Sequence, residues 1–230
     1  MKGTTKLRQL LQEPGMLVAP GAHDVMTARI VEAEGFQVLY LGGFTTSASI
    51  LGIPDHSLIT MTELLDQARK VAAVVEIPII SDIDDAGGTP LNAQRTMRLA
   101  EQAGLAAMHI EDLIPGKHFL GHKDRMCTKE QAVDRIKAIV DARTDPDFVI
   151  IARSDAINVS TFDEAVELAV LTQTVEGTCQ YGSCKARSKY LDNVEALPRD
   201  QFTEKMAEAD VVICHGGVGT LRAAMNAGHR

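Results

Sequence analysis

Residues 77–112 read IPIISDIDDAGGTPLNAQRTMRLAEQAGLAAMHIED, and this stretch decides the fold. It opens on a short apolar run, Ile77 to Ile80, with none of the polar alternation of a sheet that has one wet face. Continuous runs of this kind belong to strands buried on both sides. LNAQRTMRLAEQAG then carries a helical pattern that stops at Gly104, the residue type that caps helices in the left-handed conformation. AAMHIED supplies the next strand. Strand, helix and strand in this order make a parallel βαβ unit.

The alternation extends in both directions. MLVAP with VMTARIVEAEG, and QVLYLGG with MTELLDQARKVAAVV, come before; TKEQAVDRIKAIVDAR, then FVIIARSD with TFDEAVELA, come after. Five βα units in succession predict a parallel sheet, open or closed. Near residue 169 the rhythm breaks at AVLTQT and the polar VEGTCQYGSCKARSKYLDN, then resumes through VEAL, PRDQFTEKMAEA, DVVICHGG and GTLRAAMNAG. Three tail strands added to five make eight, the number that closes a (β/α)8 barrel of roughly 200–250 residues. The expected architecture is an α/β, TIM-like barrel with βα units over 1–169 and its last three strands from a tail over 170–230.

Composition narrows the partners. The 230 residues carry a net charge of −8, and a hydrophobic content of 45% is enough for a substantial core. Aromatics make up 4% and Trp is absent, which argues against stacking on bases; the acidic balance argues against a polyanion. No apolar run approaches the ~18 residues of a membrane-spanning helix. MKGTTKLRQLLQEPG reads as an amphipathic helix without the apolar centre of a secretory signal. The four cysteines include no CxxC pair and are too few for a disulfide framework. These features predict a cytoplasmic protein with neither nucleic acid nor membrane as a partner.

Ligands of parallel α/β proteins sit at the carboxyl ends of the strands. There the sequence offers His23 and Asp24, then Asp55, then Asp82, Asp84 and Asp85, then His109, Glu111 and Asp112, and finally Arg153 and Asp155. Clustered carboxylates call for a hard cation with oxygen ligands and retained waters, which suits Mg²⁺. Such an ion polarises a carbonyl and stabilises enolate-like charge, and Arg153 could clamp a substrate carboxylate. The plainer alternative is that these acids cap the following helices.

Over residues 6–168 the motifs PGAHDVMTARIVEAEGF, SASILGIPD, SDIDDAGGTP, HIEDLIPGKHFLGH and DPDFVIIARSDA resemble the isocitrate lyase/phosphoenolpyruvate mutase superfamily, especially its small lyases. The resemblance implies an Mg²⁺ (or Mn²⁺) site at Asp82, Asp84 and Glu111, an acid at Asp55 near metal and substrate, and a substrate-carboxylate arginine at Arg153. It implies that Tyr40, Gly42, Gly43 and Ser47 line the substrate pocket, that the substrate is a small 2-hydroxy di- or tricarboxylate, and that the protein is a homo-oligomer.

Some positions depart from the pattern. The lyases carry a catalytic cysteine in a loop that here reads GKHFLGH; Gly121 and His122 match, but Leu120 stands in the cysteine's place. Lys117, His118 and His122 remain to move protons. The metal loop has Asp85, Ala86 and Gly87 where the family has Thr, Gly and an aromatic, and Gly42 replaces a common serine.

The tail motif HGGVGT, within FTEKMAEADVVICHGGVGTLRAAMNAG, resembles the nucleotide-sugar-binding half of GT-B glycosyltransferases. That resemblance implies a fusion, and phosphate binding at His215, Gly216, Gly217, Gly219 and Thr220, where glycines let backbone N–H groups approach phosphate at a helix start. The other reading of HGGVGT is a tight strand–helix turn. Three functional readings follow: a metal-dependent lyase or its remnant, sugar-nucleotide or phosphate binding through the tail, and a recombined scaffold with no complete site.

Overall fold

The computed structural model describes residues 1–14, 17–114 and 126–153, and the backbone of 211–213. Strands β2 (Gly21–Ala22), β3 (Leu39–Leu41), β4 (Ile79–Asp82), β5 (Ala107–Glu111) and β6 (Val149–Arg153) form a parallel sheet in chain order. The crossovers are α2 (Val25–Ala33) after β2, α3 (Gly43–Leu51) and α4 (Met61–Ala72) after β3, α5 (Pro90–Gln102) after β4, and α6 (Lys129–Ala142) after β5.

The first predicted strand is divided at Pro20, which has no N–H to give to a ladder. Its first half, β1 (Leu17–Ala19), pairs in parallel with β7 (Val211–Ile213), from Leu17 opposite Val211 to Ala19 opposite Ile213. Beyond the break, the Pro20 carbonyl accepts from Tyr40 N at 2.9 Å and β2 pairs with β3. One extended segment thus meets the DVVIC strand and β3 in turn. This last-to-first strand contact is one that a closed barrel requires. The predicted strands AVLTQT and VEAL, the helix TFDEAVELA and the 169/170 join lie outside the described residues.

Successive strand residues face opposite ways, and both faces are apolar. Leu39, Leu41, Ile79 and Met108 meet Leu64, Val71, Met97 and Ile139 of the surrounding helices. Val38, Tyr40, Ile80, Ala107 and Val149 form the other core, together with Leu7 and Leu10. The latter two belong to α1 (Gly3–Leu10), the expected amphipathic helix. A Cβ on Gly3 would lie 3.8 Å from Pro78 and 3.9 Å from Ala106, just before β4 and β5 begin. Thr4 also donates to Asp145 at 3.0 Å, ahead of β6. Helix α1 therefore closes the amino ends of the strands and leaves the carboxyl ends for chemistry.

Gly35 (φ 85°) and Gly104 (φ 83°) are left-handed, as their position after helical patterns predicts. Asp24 is the N-cap of α2, in a capping box with Thr27, so at the end of the first strand the plain capping alternative is the correct one. Helix α3 was not expected, because GFTTSASIL is rich in Thr and Ser and reads as a loop after the second strand. It starts at Gly42 without a side-chain cap and ends at Gly52 (φ 67°).

Candidate metal and carboxylate site

The chain leaves β4 at Asp82 and does not run straight into a helix. Ile83 N donates to the His109 carbonyl at 3.0 Å, and Glu111 N donates to the Asp84 carbonyl at 2.8 Å. These bonds continue the β4–β5 ladder in irregular form and lay Asp84 beside the end of β5. Asp84 accepts a left-handed φ of 47°, which aspartate tolerates better than most residues. Its N–H donates to Asp82 Oδ1 at 3.1 Å.

The result is a cluster of Asp82, Asp84 and Glu111, all buried, each offering an oxygen within 4.8 Å of the others. Asp85 is different: its Oδ1 accepts from Gly87 N at 2.9 Å and shapes the turn. The three crowded aspartates therefore sort into two cluster members and one turn former.

Buried carboxylates repel one another and are costly unless compensated. Arg153 at the end of β6 puts Nη1 2.8 Å from Glu111 Oε1 and remains 30% exposed, so it also faces outward. An all-oxygen donor set of this compactness fits a hard divalent cation that keeps several waters.

Gly43 preserves the space in front of the acids. A Cβ there would lie 3.2 Å from Asp82 Oδ2 and 3.4 Å from Asp84 Oδ1. Gly43→Ala should weaken Mn²⁺ binding by roughly three- to tenfold, the equivalent of about 1 kcal/mol, with little change in metal-free melting temperature. Titration calorimetry checks this, and unaltered affinity would show that the glycine serves only α3.

Tyr40 points to the same region from β3. It is fully buried, with its hydroxyl 2.7 Å from His109 Nδ1 and the two rings edge to face. Burial, and next the Asp82 charge, raise its pKa far above the usual phenol value, so it stays protonated. Gly42 is the N-cap of α3. Ser47 is 1% exposed, and its hydroxyl has no hydrogen-bond partner among the described residues. Asp55 is half-buried in the α3–α4 connection and is not part of the three-carboxylate cluster. Lys117, His118, His122 and Leu120 lie outside the described residues, as do His215, Gly216, Gly217, Gly219 and Thr220.

Two features escaped the sequence reading. One is the Tyr40–His109 pair, since strand spacing does not reveal which inward residues meet across β4. The other is Arg135 of α6, buried to 3% exposure, which looks in sequence like one more charge on a helix surface. Cys127 is also buried, and burial pushes its thiol pKa up, which makes it a poor acid–base or nucleophilic group.

A parallel α/β chain with an acid trio at the carboxyl ends of β4 and β5 defines the class to which it is matched. Residues 7–174 match the family model of phosphoenolpyruvate phosphomutase, and the chain belongs to that family, within the phosphoenolpyruvate mutase/isocitrate lyase superfamily. Among curated relatives it is 42% identical over 170 residues to 2,3-dimethylmalate lyase of Eubacterium barkeri, a match covering 73% of this chain and 58% of that enzyme. It is 33% identical over 238 residues to 2-methylisocitrate lyase of Shewanella oneidensis, covering 96% and 81%. The chain thus spans less than two thirds of the length of the first of these. Its fold matches the structure of phosphonopyruvate hydrolase in complex with oxalate and Mg++, with a TM-score of 0.77 and 27% identity, over 99% of this chain and 84% of that one.

The two longer matches run well past residue 174, so the tail is shared with lyase and hydrolase relatives. These matches give no support to the expected glycosyltransferase-like origin of residues 170–230. Glycine-rich sequence is common to tight turns of many unrelated folds, so the HGGVGT motif does not by itself mark a nucleotide-sugar site. Among the described residues no helix is long and apolar enough to cross a membrane.

Proposed function

We propose that the chain belongs to a Mg²⁺- or Mn²⁺-dependent carbon–carbon lyase, or a related hydrolase, that acts on a small 2-hydroxy di- or tricarboxylate. The observation that carries this reading is the buried Asp82, Asp84 and Glu111 cluster with Gly43 leaving room before it. These three side chains hold the cation, in part through water; when bound, it supplies polarisation of a substrate oxygen and stabilisation of enolate-like charge.

Arg153 takes a substrate carboxylate with the guanidinium edge not used by Glu111. Tyr40 offers a protonated hydroxyl from the inner wall, and Gly42, Gly43 and Ser47 form the floor beside it. Asp55, Lys117, His118 and His122 are assigned to proton transfer. Residues 170–230 complete the same barrel. The oxalate and Mg++ held by phosphonopyruvate hydrolase support this choice of ligand chemistry.

Oxalate, a planar dicarboxylate that imitates an enolate, tests the reading directly. Calorimetry should show oxalate binding in the presence of Mg²⁺ and none after EDTA treatment. Equal binding in both conditions would defeat the metal assignment.

A further inference from the structure

The loop Asp82–Gly88 has little regular structure of its own. Asp84, Ala86, Gly87 and Gly88 all take positive φ, at 47°, 55°, 89° and 81°. Beyond its own turn bonds and the two backbone bonds that tie it to β5, the loop is held by the helices behind it. Three consecutive carbonyls accept from side chains: Ala86 from Thr96 Oγ1 at 3.1 Å, Gly87 from Asn92 Nδ2 at 2.8 Å, and Gly88 from Arg135 Nη2 at 3.4 Å. Thr96 and Asn92 lie on α5 and touch this loop, whereas Arg135 comes from α6 and also reaches β5. Its Nη1 donates to the Glu111 carbonyl at 3.0 Å and the Leu113 carbonyl at 3.2 Å.

We propose that Arg135 is a positioning residue that sets divalent-cation affinity by fixing the Asp84 loop and the Glu111 strand end relative to each other through their backbone carbonyls. This rests on the metal reading above. A planar guanidinium donates in two directions at once, so one side chain spans both loops. An ammonium has three donors, but all on one nitrogen, so it cannot reproduce the two separated nitrogens with which Arg135 meets Gly88 on one side and Glu111 and Leu113 on the other. Metal ligands must be held to a fraction of an ångström, because Mg²⁺ demands near-ideal geometry.

Geometry and simple electrostatics predict opposite signs here. Arg135 is a buried cation near a cation site, so its charge alone opposes metal binding. If charge were its only influence, Arg135→Gln would bind metal more tightly. If it positions the ligands, both Arg135→Gln and Arg135→Lys bind metal more weakly.

The test is Mn²⁺ titration of the full chain, followed by the paramagnetic signal of the free ion, together with metal-free melting. We expect both variants to fold and their Mn²⁺ Kd to rise by about tenfold or more over wild type. A Kd within about twofold of wild type in either variant, or tighter binding by Arg135→Gln, overturns the proposal. Failure of both variants to fold without metal also overturns it, because Arg135 would then be a purely structural residue. An absence of Mn²⁺ binding by the wild-type protein identifies a different failure, that of the metal reading itself.

Discussion

Replacing Asp82 and Asp84 together by Asn should abolish the rise in melting temperature that Mg²⁺ or Mn²⁺ produces in the wild-type protein. A ligand that binds only the folded state stabilises it by RT ln(1 + [L]/Kd), roughly 2.7 kcal/mol at a hundredfold excess over Kd. For a chain of this size that corresponds to about 5–10 °C. Asn keeps the shape of Asp, and its side-chain oxygen can still accept the Asp84 N–H bond now made by Asp82 Oδ1 at 3.1 Å. The substitution should therefore remove charge with little disturbance of the turn.

The metal-free melting temperature supplies the control. Three buried carboxylates within 4.8 Å repel one another, and two amides do not. Without added ion the double variant should melt at or above the wild-type temperature, and only the metal response should vanish. Equal metal shifts in the two proteins would mean that these acids are solvated turn residues.

The parts of this site that were legible in sequence share a property: they follow from period and order. Continuous apolar runs separated by helical patterns predict a parallel sheet, and the sheet itself implies that polar residues at the strand ends converge. On that ground alone the sequence brings Asp82, Glu111 and Arg153 to one mouth. The split at Pro20 is a different matter, because a missing N–H shows its effect only once both neighbours of a strand are known. Helix α3 was hidden for a related reason. The face it buries carries Gly43, Thr46 and Ser47, whereas Phe44, Ile50 and Leu51 are exposed, so its apolar residues do not mark the side that packs.

The sorting of Asp84 from Asp85 lay beyond spacing as well. It depends on a left-handed turn that sends one side chain inward and ties the other to Gly87. The tail motif shows the reverse hazard. HGGVGT is specific enough to suggest a ligand, yet glycines at a strand–helix turn have a reason to exist without one. Arg135 could not be found by either route, since its partners are carbonyls and carry no side-chain signature.

The remaining large effect concerns turnover. Where the resemblance calls for a catalytic cysteine, the chain has Leu120, which has no proton to give. Cys127 does not make up the loss, because it is buried, its pKa is raised, and its backbone N–H is bonded to the Asp112 carbonyl at 3.0 Å. Metal binding and carboxylate recognition need nothing from position 120, so they should survive. General acid–base assistance is commonly worth about 10²–10⁴-fold, and its absence lowers kcat rather than ground-state affinity. The expected result is Mg²⁺-dependent oxalate binding alongside cleavage of 2-methylisocitrate and isocitrate that is slow or below detection. A coupled assay for the 2-oxo acid or glyoxylate product measures the rate, and the same preparation supplies the oxalate Kd. Fast cleavage would overturn this expectation and assign the proton to Lys117, His118 or His122. Slow cleavage with no oxalate binding would instead remove the metal and Arg153 from the mechanism, since an intact pocket that lacks only its acid must still bind.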